Sequence, residues 1–184
     1  MARGRRKSKQ KRINPTLFVF CEGETEEAYV KMLKSYFRLS SIQIHSKIGG
    51  NNITSQYISN YKKDKPTHEK DINYLMYDLD APEILSRLRK IKDCDLLLSN
   101  PCIELWFTLH YIPCHSNQNC DYFNKELKRN NQIYNKGYID DLLKEKLTSN
   151  IDIAIERARK LKLYNNPSSA VYKFLIKLKE QSTS

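Results

Sequence analysis

LFVFCEGETEEAY, Leu17 to Tyr29, is the stretch on which the fold turns. It opens with Leu17 to Cys21, a short apolar run rich in β-formers, which reads as a buried strand. Gly23 breaks the run and permits a tight turn. From about Thr25 to Arg38, Tyr29, Met32, Leu33, Tyr36 and Phe37 recur at helical spacing. A strand fed directly into a helix is the first half of a parallel β-α-β unit.

Outward from there the alternation continues. Ile42, Ile44, Ser46 and Ile48 alternate with polar residues as a half-buried strand would. Gly49-Gly50-Asn51-Asn52 is loop chemistry, and Ile53 to Lys62 reads as a helix. After a polar connection over 63–70, Asn73 to Tyr77 is a second buried strand. Pro82 opens a helix to about Lys92, because proline suits a first helical position. Cys94 to Leu98 is a further strand stopped by Ser99-Asn100-Pro101, and Cys102 to Tyr111 reads as a helix. The expected fold is α/β, a mainly parallel sheet of about four strands flanked by helices. From Asp121 the pattern turns helical, over about 121–130, 138–148, 151–163 and 168–180. The expected organisation is a disordered basic arm over 1–12, an α/β domain over 13–112, and a helical extension over 113–184 packed on it.

Charge is distributed unevenly along the 184 residues. Residues 1–12 carry +7, residues 13–120 carry −1 and residues 121–184 carry +5, within a total of +11. Basic ends suit a polyanion such as nucleic acid, since Lys and Arg displace counterions condensed on phosphates. A local surplus of acid suits a divalent-cation site. No apolar run approaches the roughly 20 residues that span a bilayer, and no apolar stretch of signal-peptide length follows the basic start. The expectation is a cytoplasmic protein without a membrane partner. Five cysteines without a repeating spacing argue against a disulfide framework. Cys102, His110, Cys114, His115 and Cys120 lack a C-x-x-C and an ordinary zinc spacing, so buried or loop thiols are the better reading.

The acids fall where ligands bind in open α/β sheets, outside the carboxyl ends of strands. Glu22 ends the first strand and has little reason to be acidic for stability alone. Glu26 lies four residues on and faces the same crevice, whereas Glu24 and Glu27 complement the helix dipole. Asp78-Leu79-Asp80 follows a buried strand, and two carboxylates at i and i+2 point to one side while the chain stays extended. So close a pair repels unless a cation intervenes. Glu104 sits among Ile103, Leu105, Trp106 and Phe107, an awkward setting for an acid without a cation or donor. His110 reads as a packed or hydrogen-bonded histidine.

The order strand–Glu22–Gly23, then strand–Asp78-Leu79-Asp80, resembles the Toprim domain of topoisomerases, primases and related nucleases. FVFCEGETEEAY (Phe18 to Tyr29), YDLD (Tyr77 to Asp80), SNPCIELWFTLHY (Ser99 to Tyr111) and NPSSAVYKFLIKL (Asn166 to Leu178) resemble the RloB-like family, which includes the second component of the AbiL abortive-infection system. The Toprim resemblance implies a Toprim-like fold, a glutamate in acid/base work and an Asp-x-Asp pair on Mg²⁺. The RloB-like resemblance implies phage defence beside an AAA-type ATPase. The expected activity is therefore Mg²⁺- or Mn²⁺-dependent hydrolysis of phosphodiester bonds in DNA or RNA. Glu22, Glu26, Asp78, Asp80 and Glu104 are the expected catalytic residues. Glu22, Asp78 and Asp80 are the expected metal ligands, with Glu22 alternatively the base. A non-catalytic nucleic-acid-binding or adaptor subunit is the rival reading, and a homo-oligomer is compatible with either. No G-x-x-x-x-G-K-[ST] occurs, so ATP dependence would come from the partner. A dehalogenase-type phosphatase also places Asp-x-Asp after a strand, but there Thr or Val normally follows the pair and the motif stands near the domain's start. Here Ala81-Pro82 follows, and a full β-α-β unit precedes.

Overall fold

The computed structural model describes residues 14–39 and 42–182. The basic arm expected over 1–12 lies outside the described residues. Strand β1 (Thr16–Cys21) is buried along its whole length and runs into helix α1 (Glu24–Phe37). Strand β2 (Gln43–Ile48) follows, then α2 (Ser55–Lys62), β3 (Ile72–Asp78), α3 (Pro82–Leu88), β4 (Cys94–Asn100) and α4 (Ile103–Thr108). Beyond these lie α5 (Cys120–Asn130), α6 (Asp141–Ser149), α7 (Ile151–Arg159), the two-residue β5 (Ser168–Ser169) and α8 (Tyr172–Ser182).

The sheet order is β2-β1-β3-β4-β5. The first four strands are parallel, and β5 joins β4 antiparallel. Side chains alternate across β1. Leu17, Val19 and Cys21 face a core shared with α1 and α4 to α8, while Phe18 and Phe20 face a smaller core closed by α2 and α3. Both sheet faces are thus covered, as a parallel sheet requires. Among the described residues, no helix is long and apolar enough to cross a membrane.

The expected α/β class and helical C-terminal part are what the structure shows, with two differences. The fifth strand is not expected from the sequence. The pattern after Pro167 predicts a helix from 168, but Ser168 and Ser169 pair with the free edge of β4 instead. Ala170 donates its N–H to Leu98 O at 2.8 Å, and the Ser99 and Ser169 hydroxyls meet at 2.9 Å. Helix boundaries also move inward where a side chain caps. Thr54 Oγ1 accepts from Tyr57 N–H at 3.1 Å, and Asp140 Oδ1 accepts from Leu143 N–H at 2.9 Å, so those helices begin at Ser55 and Asp141.

Between β1 and β3 the order of connection reverses: the chain leaves β1 for β2 on one side and returns to β3 on the other. That reversal opens a crevice at the carboxyl ends of β1 and β3. Glu22 and Asp78 stand at its two sides.

Candidate metal centre

Backbone register builds the site first. Glu22 N–H donates to Met76 O at 3.0 Å, and Asp78 N–H donates to Glu22 Oε2 at 2.9 Å. The Glu22 carboxylate is thereby fixed across the crevice against the end of β3. Asp78 Oδ1 accepts from Ile103 N–H at 2.8 Å, which ties the same strand end to the start of α4. Glu26 is 5 % exposed, and its Oε2 accepts from Gly23 N–H at 2.9 Å, one half of a capping box.

Glu104 is 1 % exposed. Its Oε1 accepts from Tyr134 OH at 3.1 Å and lies 3.3 Å from Lys136 Nζ. Its Oε2 is buried and has no partner. Tyr134 and Lys136 come from the loop between α5 and α6. That loop is seated on α1 by Gly137, whose N–H donates to Thr25 Oγ1 at 2.9 Å. Gly137 has φ +78°, a conformation that favours glycine.

Among the described residues, the grouping close enough to hold a cation is Asp78, Cys102 and Glu104, whose ligand atoms all lie within 4.8 Å of one another. Asp78 is half-buried, whereas Cys102 and Glu104 are buried. Electrostatics agree with the crowding. Burial, then the charges of Glu26, Glu104 and Glu22, push the Asp78 carboxyl well above the ordinary range. Burial raises Glu26, helped by Glu104 and Glu22, and burial raises Glu22, helped by Asp80. Burial also pushes the Cys102 thiol up, so beside these acids it is a neutral S–H.

The family comparison adds to this geometry. The model described as RloB-like protein matches residues 17–178. The chain belongs to the RloB-like family. Neither the curated proteins nor the solved structures give a match. All five acids expected from the sequence fall inside the RloB-like match. Four of them, Glu22, Glu26, Asp78 and Glu104, act on one another at close range, although Glu104 is distant in sequence. Asp80 is exposed, beyond the end of β3. It acts on Glu22 and lines an open cleft of about 570 Å³ with Asn100, Asn119 and Cys120. The grouping within 4.8 Å shares Asp78 with the Glu22, Asp78 and Asp80 set expected from the sequence, and adds Cys102 and Glu104 to it.

Three residues in this RloB-like site are not among those the sequence points to. In sequence Cys102 reads only as a thiol, and Tyr134 and Lys136 sit in a loop without periodicity. Asn131 and Gly137 around that loop are the local signal for an ordered turn, but nothing local says what the turn touches. Arg87 reaches the field of Glu22, while Lys47 and Lys90 are exposed. His110 is neutral: burial lowers it to about 4, and its Nδ1 stands 2.9 Å from Trp106 O. A carbonyl only accepts, so the proton is on Nδ1.

The residues fit a divalent cation. A buried carboxylate oxygen without a donor is costly, and a cation would be a fitting partner for it. Asp78 and Glu104 would hold the ion, with water in the remaining positions.

Proposed function

We propose that this RloB-like chain is a metal-dependent nuclease that hydrolyses phosphodiester bonds in DNA or RNA, with Mg²⁺ or Mn²⁺ as the ion. The observation that carries the reading is the buried convergence of acids at the reversal point of the sheet, with Glu104 Oε2 left without a partner. Bound there, the ion would polarise the phosphoryl group and lower the pKa of a bound water.

The protein's own groups divide the remaining work. Asp78 and Glu104 anchor the site, each fixed by a donor from another element. Glu22 Oε2 is occupied by Asp78 N–H, which leaves Oε1 to take the proton from the attacking water. Its raised pKa brings it nearer the working pH of a general base. Glu26 holds Glu22 in place through the Gly23 turn and adds to the field that draws in a cation. Asp80 stands at the rim, where it meets solvent and substrate. The substrate class rests on the net charge of +11, concentrated at the two ends of the chain.

The likeness to Toprim domains supports the same chemistry through Glu22 and Asp78-Leu79-Asp80. A role in phage defence beside an AAA-type ATPase belongs to the same proposal and rests on the family's known company. The test is digestion of labelled total RNA and phage DNA by the purified chain, with Mg²⁺ or Mn²⁺ and with the ATPase present or absent. Cleavage that vanishes in Asp78→Asn and Glu104→Gln, both still folded, is the expected result. Retained binding with no cleavage under any of these conditions would replace the nuclease with the adaptor reading.

A further inference from the structure

We infer that Cys102 is the third protein ligand of this centre, and that its sulfur biases the site toward a borderline first-row ion such as Zn²⁺ over Mg²⁺. The inference rests on the metal-dependent reading above and revises its ion, because the added donor decides which ion is held.

Three observations carry it. The Cys102 sulfur and one carboxylate oxygen each from Asp78 and Glu104 lie within 4.8 Å of one another. Ligands about 2.0–2.3 Å from one ion stand at most roughly 4.6 Å apart, so a small inward rotation of these side chains brings the three atoms into a single coordination sphere. Next, the sulfur does not cap the helix that it begins. Cys102 is the N-cap residue of α4 and makes no side-chain capping bond, although it is fully buried. Finally, the buried Glu104 Oε2 has no partner, while Oε1 is held by Tyr134 and Lys136. The oxygen that lacks a partner belongs to the same residue whose ligand atom stands close to the sulfur.

Donor softness then selects the ion. Two carboxylates alone suit Mg²⁺ or Mn²⁺, whereas an added thiolate favours Zn²⁺ and its neighbours. Binding replaces the Cys102 S–H bond with a sulfur–metal bond. The proton leaves to solvent, and no electron is transferred. Three protein ligands with one position left for water is the arrangement of catalytic rather than structural zinc. Cys120 lies outside the three-ligand grouping and serves as a control.

The experiment adds Co²⁺, a spectroscopic stand-in for Zn²⁺, to the full chain kept reduced. The expected result is a near-ultraviolet sulfur-to-cobalt charge-transfer band that saturates at one ion per chain. It is lost in Cys102→Ser and Asp78→Asn and kept in Cys120→Ser. Serine is itself a preferred N-cap, so Cys102→Ser keeps the start of α4. In competition, Cys102→Ser weakens Zn²⁺ binding by more than the roughly 10–100-fold that an outer-shell partner is worth, and leaves Mg²⁺ binding unchanged. Co²⁺ bound equally by wild type and Cys102→Ser without the band overturns the inference, while the carboxylate reading stands. No ion bound by the wild type overturns both. Should Cys102→Ser fail to fold, the wild-type band and its loss in Asp78→Asn decide.

Discussion

Asp78 carries the clearest consequence for a single residue. Its folded pKa is raised well above the ordinary value of 3.8 by burial and three neighbouring acids. A carboxyl raised on folding binds its proton more tightly in the native state. Its contribution to stability is therefore full below the unfolded value and is lost as pH rises through the folded one. Without metal, Asp78→Asn should accordingly gain stability over the wild type from about pH 4 toward neutrality, while its amide oxygen still accepts from Ile103 N–H. The gain should be a few degrees, since about 1 kcal/mol moves Tm by roughly 2–4 °C at this size. Added Mn²⁺ should then raise the Tm of the wild type and not of the variant. Thermal melts across pH, with and without ion, check both halves; a variant less stable than wild type at every pH would refute the charge-crowding account. Of the site's residues, the acids were legible in sequence because an acid at a strand end or inside an apolar helix contradicts its surroundings. Cys102, Tyr134 and Lys136 were not, because a cysteine among apolar residues and a lysine in a loop contradict nothing.

At the scale of elements, the site depends on α1 and α4, which carry Glu26 and Glu104. One buried bond joins them: Trp106 Nε1–H donates to Tyr29 OH at 2.8 Å, both residues being fully buried. The Tyr29 ring also packs on Phe107 at 5.3 Å between centroids. Tyr29→Phe keeps the ring and strands the indole N–H, which should cost about 1–3 kcal/mol. Urea denaturation should show that loss as a lower midpoint with an unchanged slope; a midpoint within error of wild type would mean that the indole N–H finds another acceptor. The strands that position the acids were legible because each is a short apolar run that stops at an acid, Glu22 before Gly23 and Asp78 before Leu79-Asp80. β5 was not, since Ser168 and Ser169 have no apolar alternation. They become strand only because the edge of β4 supplies partners, which is a tertiary cause.

For the whole molecule, the basic segment Met1–Arg12 contributes +7 to a chain whose residues 13–120 sum to −1. Its deletion should weaken nucleic-acid binding similarly for every sequence. It should also flatten the dependence of log K on log salt, by up to about 0.9 for each duplex phosphate that the segment no longer neutralises. Fluorescence anisotropy at several salt concentrations measures both, and an unchanged slope would remove the segment from the binding surface. The closure of the sheet bears on a different moment in the protein's life. Ser99 and Ser169, joined across β4 and β5, are 70 residues apart. At about 5–20 residues per second, a ribosome needs roughly 4–14 s to make the chain between them. During that interval β4 is finished but its outer edge has no neighbour, and an open edge invites pairing with another chain. The nascent protein therefore passes through a period in which chaperone cover matters most, and it ends only when the serines emerge.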